Sequence, residues 1–401
     1  MFKGALPGFR DFYPQELAER AFIMRTWRDV ARRYAFVEYD GPPLEPLELY
    51  TKKSGDEIVG QLYSFRDKGD RDVALRPEMT PTVARMVAAR ANALRKPVRW
   101  FSMPQLFRYE RQQKGRLREH FQLNVDIFGA SDVAADAELV ACAVDMMRGF
   151  GLTSHDVVAR VSDRRMLQGY LAALGVPDAA NEGVFGVIDK LERAPREVSA
   201  AALAALGVPA ASIDRIVAIA DVTLADVQQQ LAGTPAAEHA AQFEQLMEYA
   251  TALLGGDASW LALDLSIVRG LAYYTGIVFE LFDRSGEFRA ICGGGRYDTL
   301  LQTLGGAELP ALGFGMGDVV LGELLRAKGL MTATVHGADV WLAAEESAPL
   351  AAVMAEAARL RADGRSVEYA LRPQPLAKQK KAAMASGAKE FLTFSNNGSD
   401  G

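Results

Sequence analysis

Between Trp100 and Gly129 the chain concentrates residue types that hold charged ligands. Phe121, Leu123, Val125 and Ile127 alternate with Gln122, Asn124 and Asp126. A period of two marks a strand with one apolar and one polar face. Upstream, Phe107, Tyr109 and Arg111 alternate with Arg108 and Glu110, which predicts a partner strand, and the polar stretch 112–119 with Gly115 reads as the hairpin loop between them. Such a pairing gathers Arg108, Glu110, Gln122 and Asp126 on one floor. Burying polar groups without partners costs roughly 2–7 kcal/mol each, and more for charges. These four therefore either neutralise one another on a solvated face or hold a charged polar ligand. Arginine suits phosphate, because its planar fork donates paired hydrogen bonds and keeps its charge. Lys114, Arg116 and Arg118 in the loop shift the balance toward a polyphosphate.

Two more segments carry chemistry. Leu75–Arg76–Pro77–Glu78–Met79–Thr80–Pro81–Thr82 precedes Val83, Met86 and Val87, spaced as one helix face. Thr80 reads as that helix's N-cap, with Pro81 at the first helical position, or as a ligand hydroxyl. Glu78 reads as a charge complementing the positive helix start. Farther on, Arg269–Gly270–Leu271–Ala272–Tyr273–Tyr274–Thr275–Gly276 leads into a predicted strand, Ile277–Phe282, then a turn at 283–286 and a second strand over 287–292. Gly293–Gly295 reads as a loop before Arg296–Tyr297–Asp298; consecutive glycines permit positive φ and close approach to a ligand. Gly313 to Gly317 reads as a strand-to-helix turn, with Asp318 as the N-cap of a helix carrying Leu321, Leu324 and Leu325.

The elements that position these residues fall into four regions. At 401 residues, two or three domains are expected. Residues 1–154 mix helices and strands. Residues 155–260 are rich in Ala and Leu at helical spacing, and strand patterns return over 261–331, so the helical segment reads as an insertion within one domain. Residues 338–401 alternate as Val340–Ala343, a helix over 350–361, Val367–Leu371, a helix over 376–386 and Phe391–Phe394, which predicts a small parallel sheet.

Composition narrows the setting. With 49% hydrophobic and 24% charged residues, disorder throughout is excluded. No apolar run approaches the ~20 residues of a membrane span, and residues 1–11 lack the apolar block of a signal peptide. Two cysteines, Cys142 and Cys292, and four histidines make neither a disulfide framework nor a zinc site, so no metal site is expected and a reducing cytoplasm fits. A net charge of −6 weighs against nucleic acid as a partner. Local basic patches decide that question, however, and two exist: Lys114, Arg116 and Arg118, and Lys378, Lys380 and Lys381.

Phe107–Arg108–Tyr109–Glu110–Arg111, Lys114–Gly115–Arg116 and Arg118–Glu119–His120–Phe121–Gln122 together resemble motif 2 of class II aminoacyl-tRNA synthetases, specifically of the histidyl-tRNA synthetases. Arg269 to Gly276 beside Gly293 to Tyr297 is similar to the segments that distinguish the histidyl enzymes within the class. The resemblance implies an α+β fold: an antiparallel-sheet catalytic domain with a helical insertion, followed by a shortened anticodon-binding-like α/β domain. It implies ATP with Mg²⁺, L-histidine and tRNA(His) as ligands and partners, and a homodimer formed through the Pro43–Leu49 region. Arg108 and Arg269 would hold the ATP α-phosphate and the histidine carboxylate. Glu110 would bind adenine, His120 would stack on it, and Arg116 would meet the outer phosphates. Glu78 and Thr80 would bind the α-amino group, with Gln122, Asp126, Tyr273, Tyr274 and Tyr297 around the imidazole. Arg111 and Gln113 would touch the tRNA acceptor end.

Four departures are visible. His120–Phe121 reverses the order usual in bacterial members, Ala272 stands where many carry Asp, Val320 stands where motif 3 usually has arginine, and the last domain is short. The alternative is a noncatalytic regulatory paralogue of the ATP phosphoribosyltransferase complex in histidine biosynthesis. Such paralogues typically lack the final domain and have degraded ATP-facing residues, whereas this chain keeps Arg108, Glu110, Arg116, Arg269 and most of a final domain.

Overall fold

The computed structural model describes residues 4–51, 59–110, 115–268 and 274–395. Two compact units separate, Met1–Phe12 with Glu19–Thr332, and Tyr13–Ala18 with Ala333–Gly401. The strands of the first are β1 (Val37–Glu38), β2 (Leu44–Pro46), β3 (Ser64–Arg66), β4 (Asp72–Leu75), β5 (Val98–Ser102), β6 (Gln105–Phe107), β7 (Glu119–Phe128), β8 (Val157–Asp163), β9 (Leu261–Leu263), β10 (Ile277–Asp283), β11 (Cys292–Arg296) and β12 (Ala311–Gly317).

Nine of these form the main sheet, in the order β1-β5-β7-β12-β11-β10-β8-β9, with β6 also on β7. Every junction is antiparallel except the outermost pairs, β1–β5 and β8–β9. The alternation in β7 works as the sequence predicts. Leu123, Val125 and Ile127 enter one large core with the helix Val133–Gly149 and with Ile23 and Trp27 of the helix Pro14–Arg33. On the opposite face, Val98, Val278, Tyr274 and Tyr297 pack with Val83 and Val87 of the helix Thr80–Arg90. A separate antiparallel sheet, β2-β4-β3, lies within the same unit.

In the second unit β13 (Val340–Ala344), β14 (Val367–Tyr369) and β15 (Glu390–Phe394) form a parallel sheet in the order β14-β13-β15, joined by the helices Leu350–Ala362 and Leu376–Ser386. This is the βαβαβ order read from the sequence.

Three local expectations change. Val157–Asp163 was expected within the helical segment, but it is a strand paired with β10 over its full length, and the helices begin at Arg164. Its β-branched Val157, Val158 and Val161 fit a pleated, buried surface. The strand predicted over 287–292 begins only at Cys292, because the Asp283 carboxylate accepts hydrogen bonds from the backbone N–H of Glu287 (3.1 Å) and Phe288 (3.0 Å) and holds the chain in a wide turn. Finally, Gly293–Gly295 is strand, not loop. Its glycines serve close approach: a β-carbon on Gly294 would lie 2.4 Å from the Gly313 oxygen, and one on Gly295 2.5 Å from the Ile277 oxygen.

The end of β11 is pinned from below. The buried Arg296 donates from Nε to Asp136 of the helix Val133–Gly149 at 3.0 Å, and from Nη1 to the Ala130 oxygen at 3.0 Å. Burial pushes the Asp136 carboxyl up to about 6, against the pull of Arg296. Removing one partner of such a pair strands the other charge in the interior. Arg296→Met should therefore lower stability by about 3–5 kcal/mol in urea unfolding, and the double change with Asp136→Leu should recover a large part of it. Equal losses in the single and double variants would show that the pair is not what pins β11.

Candidate active site

A cavity of about 630 Å³ opens on the polar face of the main sheet. Its floor is where β7, β12 and β11 meet, with Gln122, Gly315 and Gly293 among its lining residues. Glycine makes that floor possible. A β-carbon on Gly315 would fall 2.8 Å from Gln122 Cδ, and one on Gly313 2.4 Å from Asp126 Oδ1, so any larger residue displaces the polar side chains of β7.

The cavity gathers Arg108, Glu110, Arg116, His120 and Gln122. The predicted partner strand stops at Phe107, so Arg108 and Glu110 stand beyond β6. There the Glu110 N–H donates to the Arg108 oxygen at 2.8 Å and turns the chain. Glu110 lies 2.9 Å from the Arg116 guanidinium and 3.9 Å from that of Arg108. Arg108 Nε donates to the Pro77 oxygen at 2.9 Å, which brings the Glu78–Thr80 segment alongside. Arg76 braces the same segment by donating to the Gln105 oxygen (3.0 Å) and the Gly41 oxygen (2.7 Å). Glu78 is buried. Thr80 occupies the first helical turn instead of the cap, which falls on Met79 and has no side-chain cap bond. Its hydroxyl is thereby released from the capping task assigned by the sequence reading.

Asp318 also differs from expectation. The cap position is Gly317, and the Asp318 carboxylate accepts instead from the Phe121 N–H at 2.9 Å and from Arg10 at 2.9 Å. Arg10 reaches Glu119 as well, at 2.6 Å, and Glu119 accepts from Gln105 at 2.9 Å. Through this network the N-terminal segment, β6, β7 and the helix Asp318–Ala327 are tied together around His120. Burial, with the positive charges of Arg108 and Arg10, pushes the His120 imidazole down to about 3. At neutral pH it therefore offers an uncharged ring to the cavity.

Asp126 departs from the common floor predicted for it. It lies four residues farther along β7, opposite Trp100 of β5, and is not among the residues lining the cavity. It joins Tyr297, whose hydroxyl donates to Asp126 Oδ1, and Tyr274, whose ring lies 6.4 Å from that of Tyr297. The second carboxylate oxygen, Oδ2, is buried with no hydrogen-bond partner among the described residues. Burial pushes the Asp126 carboxyl up to about 7, with the Tyr297 hydrogen bond pulling the other way. Arg111, Gln113, Arg269 and Tyr273 lie outside the described residues, as do Lys114 and Ala272.

Several wall residues escaped the sequence reading. Arg160 pairs with Glu192 at 2.6 Å, and Arg193, Glu280 and Arg289 share the wall. The one signal for Arg160 was a charge breaking the valine run of β8; isolated residues such as Arg10 and Arg289 had no spacing to betray them.

A family model described as histidyl-tRNA synthetase matches residues 8–317. The chain belongs to the histidyl-tRNA synthetase family. The histidine–tRNA ligase of Opitutus terrae is 47% identical over 395 residues, covering 97% of this chain and 90% of that protein. The chloroplastic/mitochondrial histidine–tRNA ligase of Arabidopsis thaliana is 41% identical over 369 residues, covering 92% and 75%. The crystal structure of histidyl-tRNA synthetase from a Nostoc species shares the fold with a TM-score of 0.82 at 23% identity, covering 96% of this chain and 90% of that one. Class II synthetase architecture thus accounts for the antiparallel sheet and for its polar, glycine-floored face.

The raised Asp126 carboxyl has a measurable consequence. Its folded value of about 7 exceeds the ordinary 3.8, so the folded state holds a proton that the unfolded chain releases between those values. The contribution of Asp126 to stability is therefore present below about pH 4 and is lost as pH rises through about 7. Asp126→Asn removes that dependence. Relative to wild type without ligand, the Asn variant should gain on the order of a few kcal/mol between pH 4 and 8, read from unfolding midpoints. A difference that stays flat across that range would refute the raised value.

Proposed function

We propose that this chain joins L-histidine to the 3′ end of tRNA(His), first activating it with ATP as histidyl adenylate. The observation that carries the reading is Asp126 Oδ2, a buried acceptor with no partner among the described residues, beside Tyr297 and over the glycine floor. A buried acceptor left unpaired costs about 1–3 kcal/mol, and an imidazole N–H is a donor of the right kind. Asp126 and Gln122 share one face of β7, so a histidine whose ring reaches Asp126 directs its carboxylate toward the arginine-lined cavity.

In this reading Tyr273, Tyr274, Tyr297 and Gln122 surround the imidazole, and Glu78 and Thr80 take the ammonium group. Arg108 and Arg269 hold the α-phosphate and the histidine carboxylate. Glu110 binds adenine, the neutral His120 ring stacks on it, and Arg116 meets the outer phosphates. A carboxylate oxygen of histidine bonds to the α-phosphorus as the bond from that phosphorus to the bridging oxygen breaks, and pyrophosphate leaves. The nucleophile is already an anion, so no general base is required; positioning and charge lower the barrier. The terminal ribose hydroxyl of tRNA then attacks the adenylate carbonyl, releasing AMP, with Arg111 and Gln113 against the acceptor end.

Among the described residues no group of three or more His, Cys, Asp or Glu could hold a metal ion. Mg²⁺ would enter on the ATP phosphates and supply charge neutralisation there, as that ion commonly does, with Glu280 as a carboxylate on the same wall.

The C-terminal unit is read as an anticodon-binding-like domain, supported by exposed Lys378, Lys380 and Lys381 on the helix Leu376–Ser386. A homodimer through the Pro43–Leu49 region fits exposed Leu44 and Phe65 on the β2-β4-β3 sheet, and solution mass tests it. A cytoplasmic location fits two buried free cysteines. No helix among the described residues is long and apolar enough to cross a membrane.

Histidine-dependent exchange of pyrophosphate into ATP, followed by charging of tRNA(His), tests the whole. Arg108→Ala should lower the exchange rate roughly 10²–10³-fold with an unchanged unfolding midpoint. Absence of exchange with any amino acid would sink the enzyme and favour the regulatory paralogue.

A further inference from the structure

We propose that Arg289 binds the outer phosphates of the nucleotide, supplying from the segment between β10 and β11 the cation that the apolar Val320 does not. The inference rests on the reading of the site as one for ATP. Arg289 and Val320 both line the cavity and converge on one point of its wall. A β-carbon on Gly115 would lie 3.2 Å from Val320 Cγ2 and 4.0 Å from Arg289 Cδ, so the two side chains flank the same glycine. Gly115 adopts a φ of 75° and leads directly into Arg116. Arg289 and Val320 thus sit next to the residue assigned to the outer phosphates.

The cations there come from separate elements. Arg116 belongs to the loop before β7, Arg289 to the turn before β11, and Arg193 to the turn between the helices Asn181–Ile188 and Arg196–Ala205. Burial and the charges of Arg116 and Arg193 lower the Arg289 pKa, and Glu110 partly offsets them. Holding like charges together is unfavourable unless an anion joins them. Glu110 and Glu280 line the same cavity; Glu192 pairs with Arg160 at 2.6 Å, and Asp283 accepts from the backbone of Glu287 and Phe288. The Asp283 bonds also fix the backbone immediately before Arg289, so its guanidinium is presented from a held turn.

A triphosphate is the anion that fits this arrangement. With its α-phosphate at Arg108, a chain that reaches Arg116 ends beside Gly115 and Arg289. When the α-phosphorus bonds to histidine and the bond to the bridging oxygen breaks, negative charge accumulates on departing pyrophosphate. Arg289 stabilises that charge and, in the reverse direction, captures pyrophosphate. Such a role predicts effects on ATP and pyrophosphate without a matching effect on histidine.

The test is steady-state pyrophosphate exchange with the full-length chain, varying ATP, histidine and pyrophosphate separately, beside thermal unfolding. Arg289→Ala should reduce kcat/KM for ATP roughly hundredfold and raise KM for pyrophosphate, leaving KM for histidine and the unfolding midpoint unchanged. Arg289→Lys should keep part of the activity. Adding Val320→Arg to Arg289→Ala should restore a substantial share, because the new guanidinium projects from the other side of Gly115. An ATP kcat/KM within about twofold of wild type in Arg289→Ala would overturn the assignment. So would parallel losses for ATP and histidine with a lowered unfolding midpoint, which mark a structural role. No histidine-dependent exchange in wild type would instead overturn the underlying reading of the site.

Discussion

The site depends on how closely β11 and β12 approach their neighbours where they carry glycine. A side chain at Gly294 or Gly295 would collide with backbone oxygens of the neighbouring strands, and one at Gly313 would collide with Asp126 and Tyr297. The cost of glycine is the loss of packing and of backbone order inside a strand. What it secures is a bare floor across which the polar residues of β7 can lie. Two clusters, one on each face, clamp the sheet from both sides, and β12 contributes Leu312, Phe314 and Met316 to the larger one.

Electrostatics around that floor divide into two kinds. Pairs such as Arg296–Asp136 and Arg10 with Glu119 and Asp318 tie elements distant in sequence together. Other groups hold perturbed states: Asp126, shifted up with Oδ2 unpaired among the described residues, and His120, shifted down. Groups of the second kind cluster where ligands bind, because a ligand supplies the missing interaction. The net negative charge of the chain and the local concentration of arginine coexist because recognition acts over a few ångströms and net charge over the whole surface.

Much of this was legible in the sequence, for identifiable reasons. The period-two pattern of β7 and the βαβαβ rhythm of 338–401 are local signals, and the structure follows them. Arg108, Glu110, Arg116, His120 and Gln122 were grouped by sequence proximity and meet in one cavity. The failures arose where a tertiary contact outweighed local preference. Asp318 forgoes its helix cap to bind Phe121 and Arg10, and Asp283 captures the amides that would have begun a strand at 287. Arg160 and Arg289 became visible only once strands distant in sequence lay side by side.

The order in which those strands leave the ribosome carries a further consequence. β7 ends at residue 128 and its neighbour β12 begins at 311, about 180 residues later. At a synthesis rate of roughly 5–20 residues per second, one edge of β7 waits on the order of ten seconds or more for its partner. During that interval the nascent chain carries an unpaired edge on a strand rich in Phe, Leu, Val and Ile, a template for wrong pairing. The helices of 164–253 emerge in the same interval and are built from short-range contacts, which form quickly. Placed between the two halves of the sheet, they pack against the helix Val133–Gly149 and cover its apolar surface with contacts that need nothing translated after them.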